Sequence, residues 1–150
     1  MNDSLQGYTS NLVDNNDKKV KYEFSDDFGN EFLVVFTNDP IGPKMKPMLG
    51  NSYEVTYFVK DDTGQWSVDA IVSTNIYRLM RTVLGDVLKD FLQTRQWVST
   101  LRLEGLAKAG ELGQTKRTKL YLRHLMSNPL PGFRIEQVST NRINLVKTKI

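Results

Sequence analysis

The side chains of this sequence that could take part in catalysis are few and widely spaced. His124 is the single histidine, and it lies in the basic segment KLYLRHL without a nucleophile elbow to partner it, so Ser-His-Asp hydrolysis is unsupported. The pairs Asp26/Asp27 and Asp61/Asp62 fall where turns are predicted, and aspartate commonly forms turns. The chain has no cysteine and no Gly-rich phosphate loop. We therefore expect neither a metal site nor a resident cofactor.

Charge is divided unevenly along the 150 residues, whose net charge is +3. The first 75 residues contain 6 Lys and 12 acidic residues, whereas the last 75 contain 14 Lys and Arg and 5 acidic residues. Such a division allows a basic surface to contact an acidic protein, another copy of this chain or, more weakly, nucleic acid. The alternative interpretation is a pair of solvated faces that only confer solubility.

The elements that must position these side chains follow from hydrophobic periodicity. Residues 1–17 are rich in Asn, Asp and Ser, and we predict a flexible N-terminal arm before a single domain at 18–150. Patterns typical of strands occur at 20–24, 31–37, 52–60, 65–72, 97–105, 133–139 and 143–149. A stripe of apolar residues predicts a helix from Ile76 to Leu92, capped by Ser73, Thr74 or Asn75, and a second helix is predicted at 114–126.

This order predicts an α+β fold with a mixed, mainly antiparallel sheet of about seven strands and two helices. The order of elements is β-β-β-β-α-β-α-β-β. No apolar run approaches the roughly 20 residues that a membrane-spanning helix needs, and the first residues lack the basic start and apolar core of a signal peptide. We therefore expect a protein that neither spans a membrane nor is secreted through a signal peptide.

Two segments are candidates for contact with a partner. The loop at 38–51 contains Pro40, Pro43 and Pro47, which exclude a regular strand, together with Met45 and Met48. These methionines either bind an irregular protein surface or cover one end of the core. The second candidate is the predicted second helix, whose cations are Lys116, Arg117, Lys119 and Arg123.

The order of four strands, helix, strand, a helix containing Leu120-Tyr121, then Gly132-Phe133 and a strand resembles the GNAT superfamily of acyl-CoA-dependent N-acyltransferases. The resemblance implies acetyl-CoA as cofactor, held at the start of the first helix near Arg78 and Arg81. It also implies that Tyr121 donates a proton to the leaving thiolate. The alternative role for Tyr121 is a ring packed on the sheet.

The segment RTKLYLRHL, together with Lys89-Asp90-Phe91 in the preceding helix, resembles small proteins of tailed bacteriophages. This resemblance implies a viral protein of the host cytoplasm or the virion and carries no known chemistry. We therefore expect a noncatalytic accessory or virion-associated protein that acts by protein-protein contact. An acyl-CoA-dependent N-acyltransferase is the alternative function, and a basic module that binds phosphate or nucleic acid is the third.

Overall fold

A computed structural model describes residues 6–42, 45, 48–68, 70, 72–106 and 112–148 of the chain. It shows an open sheet whose one face is covered by two helices. The inward residues of the strands and the apolar stripe of the first helix form one hydrophobic core. The other face of the sheet is mainly polar, as at Glu54, Thr56 and Lys60.

Within the described residues, the sheet contains eight strands: seven lie in the order β1-β2-β3-β4-β6-β8-β7, and the short β5 pairs with the end of β4. Every described pairing is antiparallel except that of β4 with β6, which is parallel. The strands are β1 (Ser10–Asn16), β2 (Lys19–Ser25), β3 (Glu31–Asn38), β4 (Ser52–Lys60), β5 (Trp66–Ser67), β6 (Thr100–Glu104), β7 (Phe133–Ser139) and β8 (Arg142–Lys147). The predicted α+β class, with its mixed and mainly antiparallel sheet and two helices, is confirmed.

Two predictions about strands need correction. Strand β1 falls inside the segment predicted as a flexible arm at 1–17, and it pairs with β2 over Ser10–Asn16. Its sequence shows no alternation because it is an edge strand whose side chains are mostly exposed. The strand predicted at 65–72 is only β5, because the chain then leaves the sheet to cross to the first helix. Asp69 and Ile71 of that prediction lie outside the described residues.

The first helix runs through residues 76–93 and is called the long helix below. It consists of α1 (Ile76–Met80), a π-helical segment (Arg81–Val87) and α2 (Leu88–Gln93). The predicted cap is Asn75, whose side chain accepts a hydrogen bond of 3.1 Å from the backbone N–H of Arg78. The predicted stripe is confirmed, since its buried members are Leu79, Met80, Val83, Leu84, Val87, Leu88 and Phe91. The π-helical turn was not predicted.

The second helix, α3 (Lys116–Ser127), lies within one or two residues of its predicted bounds. Its N-cap is Thr115, whose hydroxyl accepts a hydrogen bond of 3.1 Å from the backbone N–H of Thr118. Tyr121 and Leu125 are buried on the inner face of α3. Helix α3 therefore packs beside the long helix and completes the layer over the sheet.

Candidate functional site

The guanidinium group of Arg117 lies at a gap along one edge of β4. This edge pairs first with β6 and then with β5, and the gap is the stretch between them. Strand β4 pairs with β6 only as far as Val55, and it pairs with β5 only from Val59. Between these ladders, Nη1 of Arg117 donates a hydrogen bond of 2.8 Å to the carbonyl oxygen of Tyr57, and Nη2 donates one of 2.8 Å to that of Val68. The guanidinium carbon lies 3.7 Å from the centre of the Tyr57 ring. Arg117 thus acts as an internal bridge between the helix layer and the sheet.

The start of α3 is fixed so that Arg117 must enter this gap. The Thr115 hydroxyl donates a hydrogen bond of 2.7 Å to the carbonyl oxygen of Gly105, just after β6. The Thr118 hydroxyl donates one of 2.7 Å to Oδ1 of Asn141, in the turn between β7 and β8. A Cβ atom at Gly105 would overlap the Thr118 hydroxyl, so glycine is the residue that permits this close approach.

Tyr121 lies in the core directly below this bridge. Its side chain is only 1% exposed, and its ring meets that of Tyr57 edge to face at 6.3 Å. Burial raises the pKa of the Tyr121 hydroxyl above its ordinary value, which holds it in the neutral form. A general acid has to reach its substrate, and this position favours the packing role.

The structure does not bring Arg78 and Arg81 together at the start of the long helix. Nη1 of Arg78 forms an ion pair of 2.5 Å with Asp27, and its Nε donates a hydrogen bond of 2.8 Å to the carbonyl oxygen of Gln6. Arg81 is exposed and lines a cavity together with His124 of α3. Burial and then the charge of Arg81 lower the pKa of His124. Arg78 therefore anchors the N-terminal segment, and Arg81 belongs to the helix surface.

Three cations of α3 are exposed and spaced so that they follow one side of the helix. Lys116, Lys119 and Arg123 form no ion pair with any of the residues that the structure describes. On the open face of the sheet, by contrast, arginines are held by carboxylates, as in the 2.7 Å contact of Arg102 with Glu54. The exposed positive charge of α3 is thus free to meet an anionic partner.

An apolar crevice separates α3 from the long helix beside these cations. A cavity of about 320 Å³ is lined by Ile76, Tyr77, Met80, Leu120, Arg123 and His124, among others. Ile76 and Tyr77 are 40% and 48% exposed. A second cavity of about 240 Å³ continues past His124 to Arg81 and Lys89. We call this feature the basic crevice. The sequence did not predict the apolar part of the basic crevice. It placed Ile76 in the apolar stripe of the first helix and gave Tyr77 no role.

The two methionines of the proline-containing loop are exposed. Met45 is 95% and Met48 is 63% exposed, so neither covers the end of the core. Met48 and Ile41 exchange backbone hydrogen bonds of 2.9 and 2.8 Å, which close the base of the loop. Pro43 and Pro47 lie outside the described residues. Met45 and Met48 are therefore exposed apolar side chains that are open to a partner.

Comparison of the chain with protein-family models, curated proteins and solved structures found no significant match. Among the residues that the structure covers, no helix is long and apolar enough to cross a membrane. Within the same ranges, no group of three or more His, Asp or Glu side chains is placed to hold a metal ion.

Proposed function

We propose that this chain is a noncatalytic accessory or virion-associated protein of the tailed-phage type that acts by protein-protein contact, with the basic crevice as its contact surface. The observation that carries this proposal is the juxtaposition of unpaired cations with exposed apolar side chains. Arg123 lines an apolar cavity together with Tyr77 and Ile76, and Lys119 precedes Arg123 by about one turn on the same helix. Exposed apolar surface beside free charge is typical of a binding site for another macromolecule.

The partner that fits this surface is an acidic, amphipathic segment of another protein. Its apolar residues would enter the crevice between α3 and the long helix, as in other recognition of helices in grooves. Its carboxylates would meet Lys116, Lys119, Arg123 and Arg81. Complementary charge of this kind raises the rate of association and fixes orientation, and it is weakened by salt. The exposed side chains of Met45 and Met48 offer a different contact surface, and Lys18 and Lys19 line the cavity beside Met48, so charge reversal there tests that alternative.

Catalysis is disfavoured by the contacts of Arg117 and Tyr121. Arg117 occupies the gap beside β4 with two hydrogen bonds, and Tyr121 is buried beneath it. Both side chains therefore have structural partners that account for their position.

Charge reversal on α3 tests the proposal. The variant Lys116→Glu/Lys119→Glu is compared with Lys18→Glu/Lys19→Glu, which makes the same change of charge at exposed positions in the first half of the chain. The probe is a labelled synthetic helix with leucines on one face and glutamates on the other, followed by fluorescence anisotropy. We expect the reversal on α3 to weaken binding by about tenfold and the control to leave it nearly unchanged.

Four outcomes would overturn or revise this assignment. Equal binding to both variants would place the contact elsewhere, and equal binding of a peptide with glutamine in place of glutamate would remove the role of charge. Tighter binding of single-stranded DNA, with the steep salt dependence of counterion release, would instead favour the basic phosphate or nucleic-acid-binding module. Binding only between copies of this chain would make the acidic partner a second copy.

The acyl-CoA-dependent N-acyltransferase remains a second candidate because of one observation. Strands β4 and β6 are parallel within an otherwise antiparallel sheet, and the long helix connects them. That arrangement supports the GNAT-like order of elements. Calorimetry with acetyl-CoA tests it: heat of binding that is lost when Arg78 and Arg81 become glutamine would favour the enzyme. Loss of turnover in Tyr121→Phe would then assign the proton donor.

A further inference from the structure

Strand β7 forms an uncovered edge of the sheet. Among the described residues it pairs only with β8, and the helix layer does not cover it. Ile143 and Leu145 of β8 are buried on the core face, whereas Ile135, the β7 partner of Leu145, is 36% exposed. Val138 near the end of β7 is 53% exposed. Free backbone groups next to exposed apolar side chains are the usual template for adding a strand.

The charges on β7 make this edge complementary to itself. Arg134 and Glu136 lie on the same face of the strand and form an exposed ion pair of 2.6 Å. If a second β7 runs antiparallel about a two-fold axis at Ile135, Arg134 of each copy lies opposite Glu136 of the other. Centring the pair on Arg134 or Glu136 would instead place like charges opposite each other. The sequence of β7 therefore favours one register.

The opposite edge of the sheet lacks these properties. The pairing of β1 with β2 shifts register between Leu12 and Asp14, so its edge is interrupted. The ladder of β7 with β8 also shifts register, between Gln137 and Ser139, but it is regular over the five residues from Phe133 to Gln137, whose centre is Ile135. The β7 edge thus offers the longer regular stretch for another strand, five residues against three on either side of the shift in β1.

We propose that two copies of this chain associate through their β7 strands, antiparallel and centred on Ile135, so that the two sheets become continuous. The inference is independent of the basic crevice, whose described lining contains no residue of β7. The interface is a short ladder, smaller than the roughly 1,600 Å² of a standard stable interface, so the dimer forms only at high protein concentration.

Charge exchange on β7 tests the register as well as the contact. Arg134→Glu leaves two glutamates on each edge, and Glu136→Arg leaves two arginines, so each variant alone places like charges opposite each other. An equimolar mixture of the two variants pairs every glutamate with an arginine. Sedimentation equilibrium over a concentration series should therefore show a dimer for the parent, monomers for each variant alone and a dimer for the mixture.

Circular dichroism serves as the control for folding, because both side chains are more than 40% exposed, at 54% and 44%. The variant Lys116→Glu/Lys119→Glu should dimerise like the parent, which separates this contact from the basic crevice. A parent that stays monomeric at the highest concentration would refute the proposal. So would single variants that dimerise like the parent, or a mixture of folded variants that stays monomeric.

Discussion

Replacing Arg117 with alanine removes the bridge between α3 and the sheet. Its guanidinium group donates two hydrogen bonds of 2.8 Å, to the carbonyl oxygens of Tyr57 and Val68, and stacks on the Tyr57 ring at 3.7 Å. The substitution leaves the Tyr57 carbonyl group without its partner in the gap between two ladders. Alanine is itself a good helix former, so the helix should not be weakened by propensity.

The size of the effect follows from these contacts. A hydrogen bond from a charged donor contributes about 1.5–3 kcal/mol when buried and less when exposed, as the one to Val68 is. The contact with the Tyr57 ring adds about 0.5–1 kcal/mol. We expect Arg117→Ala to lower the free energy of unfolding by about 2–4 kcal/mol, which is a large part of the 5–15 kcal/mol typical of a domain. Lysine in its place should be intermediate, because one ammonium group lacks the fork that reaches both carbonyl oxygens.

Urea unfolding followed by circular dichroism measures this difference. The matched control is Arg123→Ala, which removes an exposed arginine from the same helix. The control should unfold within about 0.5 kcal/mol of the parent, as surface substitutions usually do. If Arg117→Ala and Arg123→Ala unfold at the same urea concentration, the bridge contributes nothing to stability and Arg117 does not anchor α3 to the sheet.

Three other substitutions test separate parts of the fold. Val87→Asp places an unpaired charge at a position that is 0% exposed and should cost several kcal/mol, enough that circular dichroism at 25 °C shows unfolding. Gly105→Ala should lower the midpoint of thermal unfolding because its Cβ atom overlaps the Thr118 hydroxyl, whereas alanine in place of Gly85, where a Cβ atom meets nothing within 4 Å, should not. His124 has a lowered pKa in the folded state, so its contribution is complete above the ordinary histidine pKa of about 6.5 and is lost as the pH falls through the lower folded value. The loss of stability between pH 7.5 and 5.5, measured in urea, should therefore shrink in His124→Gln, and an unchanged pH dependence would contradict this assignment.

Local periodicity accounts for what the sequence alone could determine. Alternation of apolar and polar residues in β2 and β4 predicts strands with one buried face, and both have that pattern of burial. The stripe from Leu79 to Phe91 predicts a helix that covers the sheet. These features depend on neighbours a few residues apart, so the α+β class and the positions of both helices can be predicted without a structure. The charge division is likewise a property of composition.

Contacts between residues far apart in the sequence decided the features that local periodicity does not predict. Strand β1 has little pattern of its own, and its assignment depends on backbone pairing with β2. The sequence grouped Arg117 with Lys116 and Lys119 as one basic surface, yet the tertiary structure turns Arg117 inward, because the gap beside Tyr57 exists only once β4, β5 and β6 are in place. A long cationic side chain can lie in solvent or bridge two carbonyl groups with the same local sequence. Which of the two occurs depends on the position of the carbonyl groups in the folded protein. Those of Tyr57 and Val68 belong to residues about 50–60 positions away in the sequence.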